Sequence, residues 1–132
     1  MTDTTALCSL SRLTVAIRLV TRHTSTLRCP AVDRIEMLKQ FLSENPGDAF
    51  ARYGLAMEYS KAGQTDSALE EFRKIVATNQ DYVPAYQMAA QMLAEHHRHD
   101  EARQWFTEGI AAARRTGNFK AATEMEGMLA EL

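Results

Sequence analysis

The sequence predicts an all-α protein assembled from stacked antiparallel helix pairs, and three observations carry that prediction. The first is a 34-residue period: Leu55, Tyr59, Gly63, Ala68, Phe72 and Val76 return as Ala89, Leu93, His97, Ala102, Phe106 and Ile110. A period of this length marks supersecondary units that bury their apolar faces on one another rather than around a single centre. The second is the i, i+3, i+4 spacing of apolar residues within each copy, which places them on one helical face. The third is composition: Ala, Leu, Met, Glu and Arg dominate, and no run alternates apolar with polar residues as a half-buried strand does.

Taken in order, helices are expected over 33–44, 48–62, 65–78, 83–96, 99–115 and 118–131. Asn45-Pro46-Gly47-Asp48 ends the first and offers Asp48 as N-cap of the second. Ala62-Gly63-Gln64 makes the tight turn to the third, where glycine tolerates the left-handed backbone that closes a helix. Asn79-Gln80-Asp81-Tyr82 separates the two copies, and Pro84 is tolerated in the first turn of the helix it opens. His96-His97-Arg98 replaces the glycine turn in the second copy. Thr116-Gly117-Asn118 breaks the chain before a last helix carrying Ala122, Met125, Leu129 and Leu132 at helical spacing.

The period and its fixed positions resemble the tetratricopeptide repeat, whose signature runs from a bulky residue through Leu-Gly and an aromatic to Ala, Phe and a closing Pro. Leu55, Ala56, Tyr59, Ala68 and Phe72 match it in the first copy, with Gly63 at the turn; Tyr86, Ala89, Ala90, Leu93, Ala102 and Phe106 match it in the second. Arg52 stands where the bulky residue belongs, and Gln80 and Arg114 where each repeat closes on Pro. One period before Phe72, Ile75 and Val76 lie Leu38, Phe41 and Leu42, followed by Pro46, so half a repeat precedes the first full one. The resemblance covers about residues 33–132. It implies a right-handed superhelix of antiparallel helix pairs: a half repeat, full repeats over 49–82 and 83–116, and a capping helix over 118–131, together a domain of residues 32–132.

At 132 residues, with 45% apolar and 24% charged residues, the chain has the size and composition of one globular domain. Its net charge of −2 divides unevenly: residues 1–32 hold four arginines against Asp3, and residues 33–132 hold eleven basic and sixteen acidic residues. A repeat region without a basic stripe is a poor partner for phosphate backbones, so nucleic acid is not expected to bind it. Cys8 and Cys29 both precede the repeats, which leaves no disulfide framework or CxxC metal site inside them.

Residues 1–31 differ in kind. They are rich in Ser and Thr, with Arg12, Arg18, Arg22 and Arg28 and no acid between Asp3 and Asp33. Leu10, Leu13, Ile17 and Val20 share one face of a helical wheel, opposite Arg12, Arg18 and Arg22. Three readings follow: a disordered or over-extended leader upstream of a start near Val32, a mitochondrial targeting segment, or a surface-binding arm. Arg18 interrupts the one apolar run, which argues against a secretory signal and against a membrane span. The expected compartment is the cytoplasm, or the mitochondrion if the arginine-rich segment is a targeting sequence.

No catalytic constellation is legible. The six glycines are isolated, so no phosphate-cradling loop is present. Glu70-Glu71, Asp100-Glu101 and Glu124/Glu126 form acid pairs on predicted polar faces or helix ends, and a solvated surface is expected at each. His96, His97 and His99 stand in a turn with Arg98 among them, so a polar turn is expected rather than a metal site. Trp105, beside Phe106, is expected to pack at the seam between repeats. No metal or cofactor is expected, and no enzymatic activity.

The resemblance further implies that the first helix of each pair lines a concave surface that receives a peptide or helix. Phe50, Tyr53, Met57 and Lys61 would line the first repeat, and Gln87, Gln91 and Glu95 the second. Phe50, Tyr53 and Met57 form an apolar, adaptable patch suited to a partner helix, although Tyr53 and Met57 would equally serve to pack the preceding helix. Repeat modules that clamp a chaperone's C-terminal carboxylate carry Lys, Arg and Asn at positions held here by Tyr53, Met57, Gln87 and Met88, so that clamp is not expected. The expected function is a non-catalytic protein-protein interaction module or small scaffold. A self-assembling homo-oligomeric repeat protein and an enzyme with an unreadable site are the alternatives.

Overall fold

The computed structural model describes residues 30–132, and the expectations for residues 1–29 lie outside them. Six helices follow in order: α1 Pro30–Glu44, α2 Ala49–Lys61, α3 Thr65–Thr78, α4 Val83–Glu95, α5 His99–Arg115 and α6 Phe119–Ala130. The described residues contain no strand. α3 and α5 have the bounds their periodicity predicts. α1 begins three residues earlier than predicted. α2 and α6 start one residue late because Asp48 and Asn118 act as caps, accepting hydrogen bonds from the Ala51 and Ala121 amides at 3.0 and 3.2 Å.

Three helices end in the same device. The Gln64, Arg98 and Asn118 amides donate back to the Tyr59, Leu93 and Ala113 carbonyls at 2.9, 2.9 and 2.8 Å. The residues just before those donors take left-handed backbone: Gly63 at φ 76°, His97 at 59° and Gly117 at 76°. This is the helix-closing geometry that glycine adopts freely. His97 therefore performs the turn of Gly63 without glycine's freedom, and the histidine turn is exposed as expected.

Packing runs between chain neighbours from α2 through α6, as in a helical-repeat stack. Phe72, Phe106, Leu69, Ile75, Leu93 and Met125 are the largest fully buried side chains of the main core. A smaller cluster of Ile35, Leu42, Ala51 and Leu55 joins α1 to α2, and Tyr59 touches both clusters. The tightest approach is at Gly109. A Cβ there would lie 2.7 Å from the Tyr86 Cβ and 2.8 Å from the Met125 Sδ, so α4, α5 and α6 meet only because that side chain is absent.

The two repeats solve one seam position in different ways. Arg52 and Glu71 form an ion pair at 2.8 Å between α2 and α3. One period later Tyr86 and Trp105 stack with ring centroids 5.8 Å apart between α4 and α5. This corrects the expectation that Glu71 lies on a solvated surface: it is buried, held by Arg52 and by Lys74 at 2.7 Å. It also accounts for the departure at Arg52, whose other nitrogen donates to the Pro46 carbonyl at 2.9 Å. Trp105 lies in the seam, as expected.

α5 has 17 residues where α3 has 14 and the linker after it has three residues instead of four, so α6 begins 36 positions after α4 where α4 begins 34 after α2. With that offset Ala121, Ala122 and Met125 superpose in pattern on Ala85, Tyr86 and Ala89, so α6 is built like the first helix of a further pair. No helix among the described residues is long and apolar enough to cross a membrane.

Candidate protein-binding face

The predicted contact residues sit on α2 and α4 in graded exposure. Phe50 is 79% exposed at the start of α2, uncommon for so large an apolar side chain. Tyr53 and Met57, one and two turns on, are half-buried against the main core. The Tyr53 ring meets Phe72 edge-on at 6.0 Å and Tyr82 at 6.0 Å. Burial, with Tyr82 a smaller cause, raises its phenol pKa above the usual value. Lys61 is exposed with its ammonium 3.2 Å from Glu58. On α4, Gln87 and Gln91 are half-buried and Glu95 is exposed.

A cleft of about 400 Å³ gathers only two of these residues. Gln91 and Glu95 line it with Ala94, Phe106, Met128, Glu131 and Leu132, and the Gln91 amide donates to the Met128 sulfur at 3.0 Å. Met128, Glu131 and Leu132 were not anticipated. The signal was their helical spacing with Met125, which also fits a helix that merely closes the stack. The cleft's lining mixes apolar Ala94, Phe106, Met128 and Leu132 with polar Gln91, Glu95 and Glu131, a set suited to an apolar side chain flanked by hydrogen-bonding groups.

A second depression, about 450 Å³, lies between α3 and α5 and is lined by Arg73, Val76, Tyr86, Glu108 and Arg115 among others. Burial raises the Tyr86 phenol pKa, Glu108 adds to the shift and Arg115 opposes it. Arg115 itself pairs with Asp81 at 2.7 Å. Among the described residues no three His, Cys, Asp or Glu side chains converge on a metal position.

A tetratricopeptide-repeat family model matches residues 35–93 and, overlapping, 59–125. A tetratricopeptide repeat domain protein from Salinibacter ruber, solved by NMR, is 32% identical over 65% of this chain and 87% of its own, with a TM-score of 0.61. A protein of Bordetella parapertussis is 25% identical over 74% of this chain and 84% of its own, with a TM-score of 0.63. PcrH, solved with the chaperone binding region of PopD, covers 91% of each chain with a TM-score of 0.69 at 16% identity, a likeness of fold alone. No curated protein matches the chain. With the family model spanning both helix pairs, their seams and most of the flanking helices, the chain belongs to the tetratricopeptide repeat family.

Proposed function

We propose that this chain is a non-catalytic interaction module that receives a peptide or helix of another protein along a concave face made by α2, α4 and α6. Phe50, Tyr53, Met57 and Lys61 would contact the partner from the first repeat, and Gln87, Gln91 and Glu95 from the second. The observation that carries this reading is Phe50, an exposed aromatic at the head of a stripe whose next members are only half-buried. Aromatic and thioether side chains at such a place supply large, adaptable contact area. In support of this reading, PcrH, whose fold is similar, was solved in complex with the chaperone binding region of PopD. Tyr53, Met57, Gln87 and Met88 lack the charges that grip a terminal carboxylate, so the partner would be read through its side chains. The proposed compartment is the cytoplasm.

A photo-crosslinking amino acid placed at Phe50 or Gln87, and as a control at exposed Arg73 on α3, tests the face. Crosslinked partner is expected from positions 50 and 87 and not from 73. Crosslinking from 73 alone would move the binding surface to the second helices.

A further inference from the structure

The first helices change charge at one repeated position. Lys61 ends α2, Glu95 ends α4 and Glu131 caps α6, and the three stand 34 and 36 residues apart, which is the spacing of the helices themselves. Lys61 lies 3.2 Å from Glu58, which Arg34 of α1 also approaches at 3.6 Å, so the one acid of α2 is buried and neutralised. Beside it the stripe of Phe50, Tyr53 and Met57 carries no charge. Glu95 and Glu131 are exposed instead. The ion pairs that the described residues make on α5 and α6 use Glu101, Glu124 and Glu126, and neither of these two.

Both glutamates line the cleft of about 400 Å³ together with apolar Phe106, Met128 and Leu132. Two hydrogen bonds hold its lining in place. The Gln91 amide donates to the Met128 sulfur at 3.0 Å, and the Arg103 guanidinium donates to the Leu132 carbonyl at 3.2 Å, which ties the residues after α6 back to α5. A cleft of this kind accepts a large apolar side chain, and the methionine adapts to its shape. Two carboxylates beside it attract a cation and turn away an acid.

We infer that this cleft selects a partner segment in which a large apolar residue is flanked by lysine or arginine, with the basic end of the segment over α4 and α6 and its uncharged end over α2. The inference rests on the concave-face reading and adds the chemistry of the partner to it. Burial of the apolar side chain supplies most of the affinity, because exposed ion pairs contribute little each. The carboxylates set selectivity and the rate of encounter.

The test offers a phage-displayed library of random peptides to the full chain, to a Glu95→Gln, Glu131→Gln variant and to a Phe50→Ala, Gln87→Ala variant. Both glutamates are exposed, so the helical circular dichroism of the first variant should match that of the unaltered chain. Peptides enriched on the unaltered chain are expected to carry a large apolar residue with Lys or Arg beside it. A synthetic copy of the enriched peptide should bind the Glu95→Gln, Glu131→Gln variant about tenfold more weakly, and the difference should shrink as salt is raised. Enriched peptides without basic residues, or a synthetic copy that binds both proteins equally, would overturn the inference while the concave-face reading stands on the loss of binding in Phe50→Ala, Gln87→Ala. Binding that this last variant leaves intact would instead overturn the reading on which the inference rests, and a selection that enriches nothing would overturn both.

Discussion

Arg52 and Glu71 occupy the place where the second repeat stacks Tyr86 on Trp105, and the exchange makes a quantitative expectation possible. Removing one member of a buried pair strands the other, whereas replacing both by packed apolar groups is often neutral or stabilising. Arg52→Ala should therefore cost about 1–3 kcal/mol, below the usual toll for a fully buried pair because Lys74 still neutralises Glu71. Arg52→Tyr combined with Glu71→Trp should recover most of that loss. Urea denaturation of the three proteins measures both numbers. Tyr86 gives a pH-dependent counterpart. Its folded-state pKa is raised above 10, mainly by burial, so folding favours the protonated phenol. That contribution is intact below pH 10 and is lost as pH rises above it, through the folded-state value. Thermal melts between pH 8 and 11 should show a decline in stability at the alkaline end that is smaller in Tyr86→Phe.

The helices depend on positions where side chains are absent or awkward. Gly109 admits α4 and α6 at once, so Gly109→Ala must displace the Tyr86 and Met125 side chains and should cost about 1–3 kcal/mol despite alanine's better helix propensity. Gly127 on α6 meets nothing within 4 Å, so Gly127→Ala should instead stabilise by up to about 1 kcal/mol. Chemical denaturation of the pair separates packing from propensity. At the turns, His97 holds the backbone that Gly63 holds one period earlier. His97→Gly is expected to stabilise by a few tenths to about 1 kcal/mol, and Gly63→Ala to destabilise by a similar or larger amount. Equal and opposite shifts in melting temperature would show that the histidine turn carries backbone strain alone.

Across the whole stack, stability should grade along the axis. Among the described residues, α1 is held through the small cluster of Ile35, Leu42, Ala51 and Leu55, whereas α3, α4 and α5 share the main core. In a repeat array each helix is stabilised chiefly by its neighbours, and segments with few buried contacts open at lower free energy. Native-state hydrogen exchange should accordingly be fastest in α1, slower in α2 and α6, and slowest in α3–α5. Uniform protection from α1 to α6 would show a single cooperative unit. The bridges from Arg98 to Asp66 and from Arg115 to Asp81, each 2.7 Å long, span successive repeats at exposed sites. They are expected to contribute at most about 1 kcal/mol each and to weaken with salt, leaving the order of protection unchanged.

The sequence by itself determined the architecture, because the period and the spacing of Ala68, Phe72, Ala102 and Phe106 encode which faces must be buried, and burial of those faces admits one stacking. It determined the turns equally, since Gly63, Gly117 and the caps Asp48 and Asn118 act on backbone within a few residues of themselves. Tertiary structure alone decided what lies between elements. The spacing of Glu71 reads as solvent-facing, yet its environment depends on Arg52, nineteen residues away on another helix. Gln91 and Glu95 lay on a legible helix face, but the cleft they enter exists because Met128 and Leu132 arrive from α6, and a longer α5 alters that register. Helical periodicity reports the side of a helix that is covered. Which neighbour covers it, and at what distance, depends on side-chain volumes that no single helix contains.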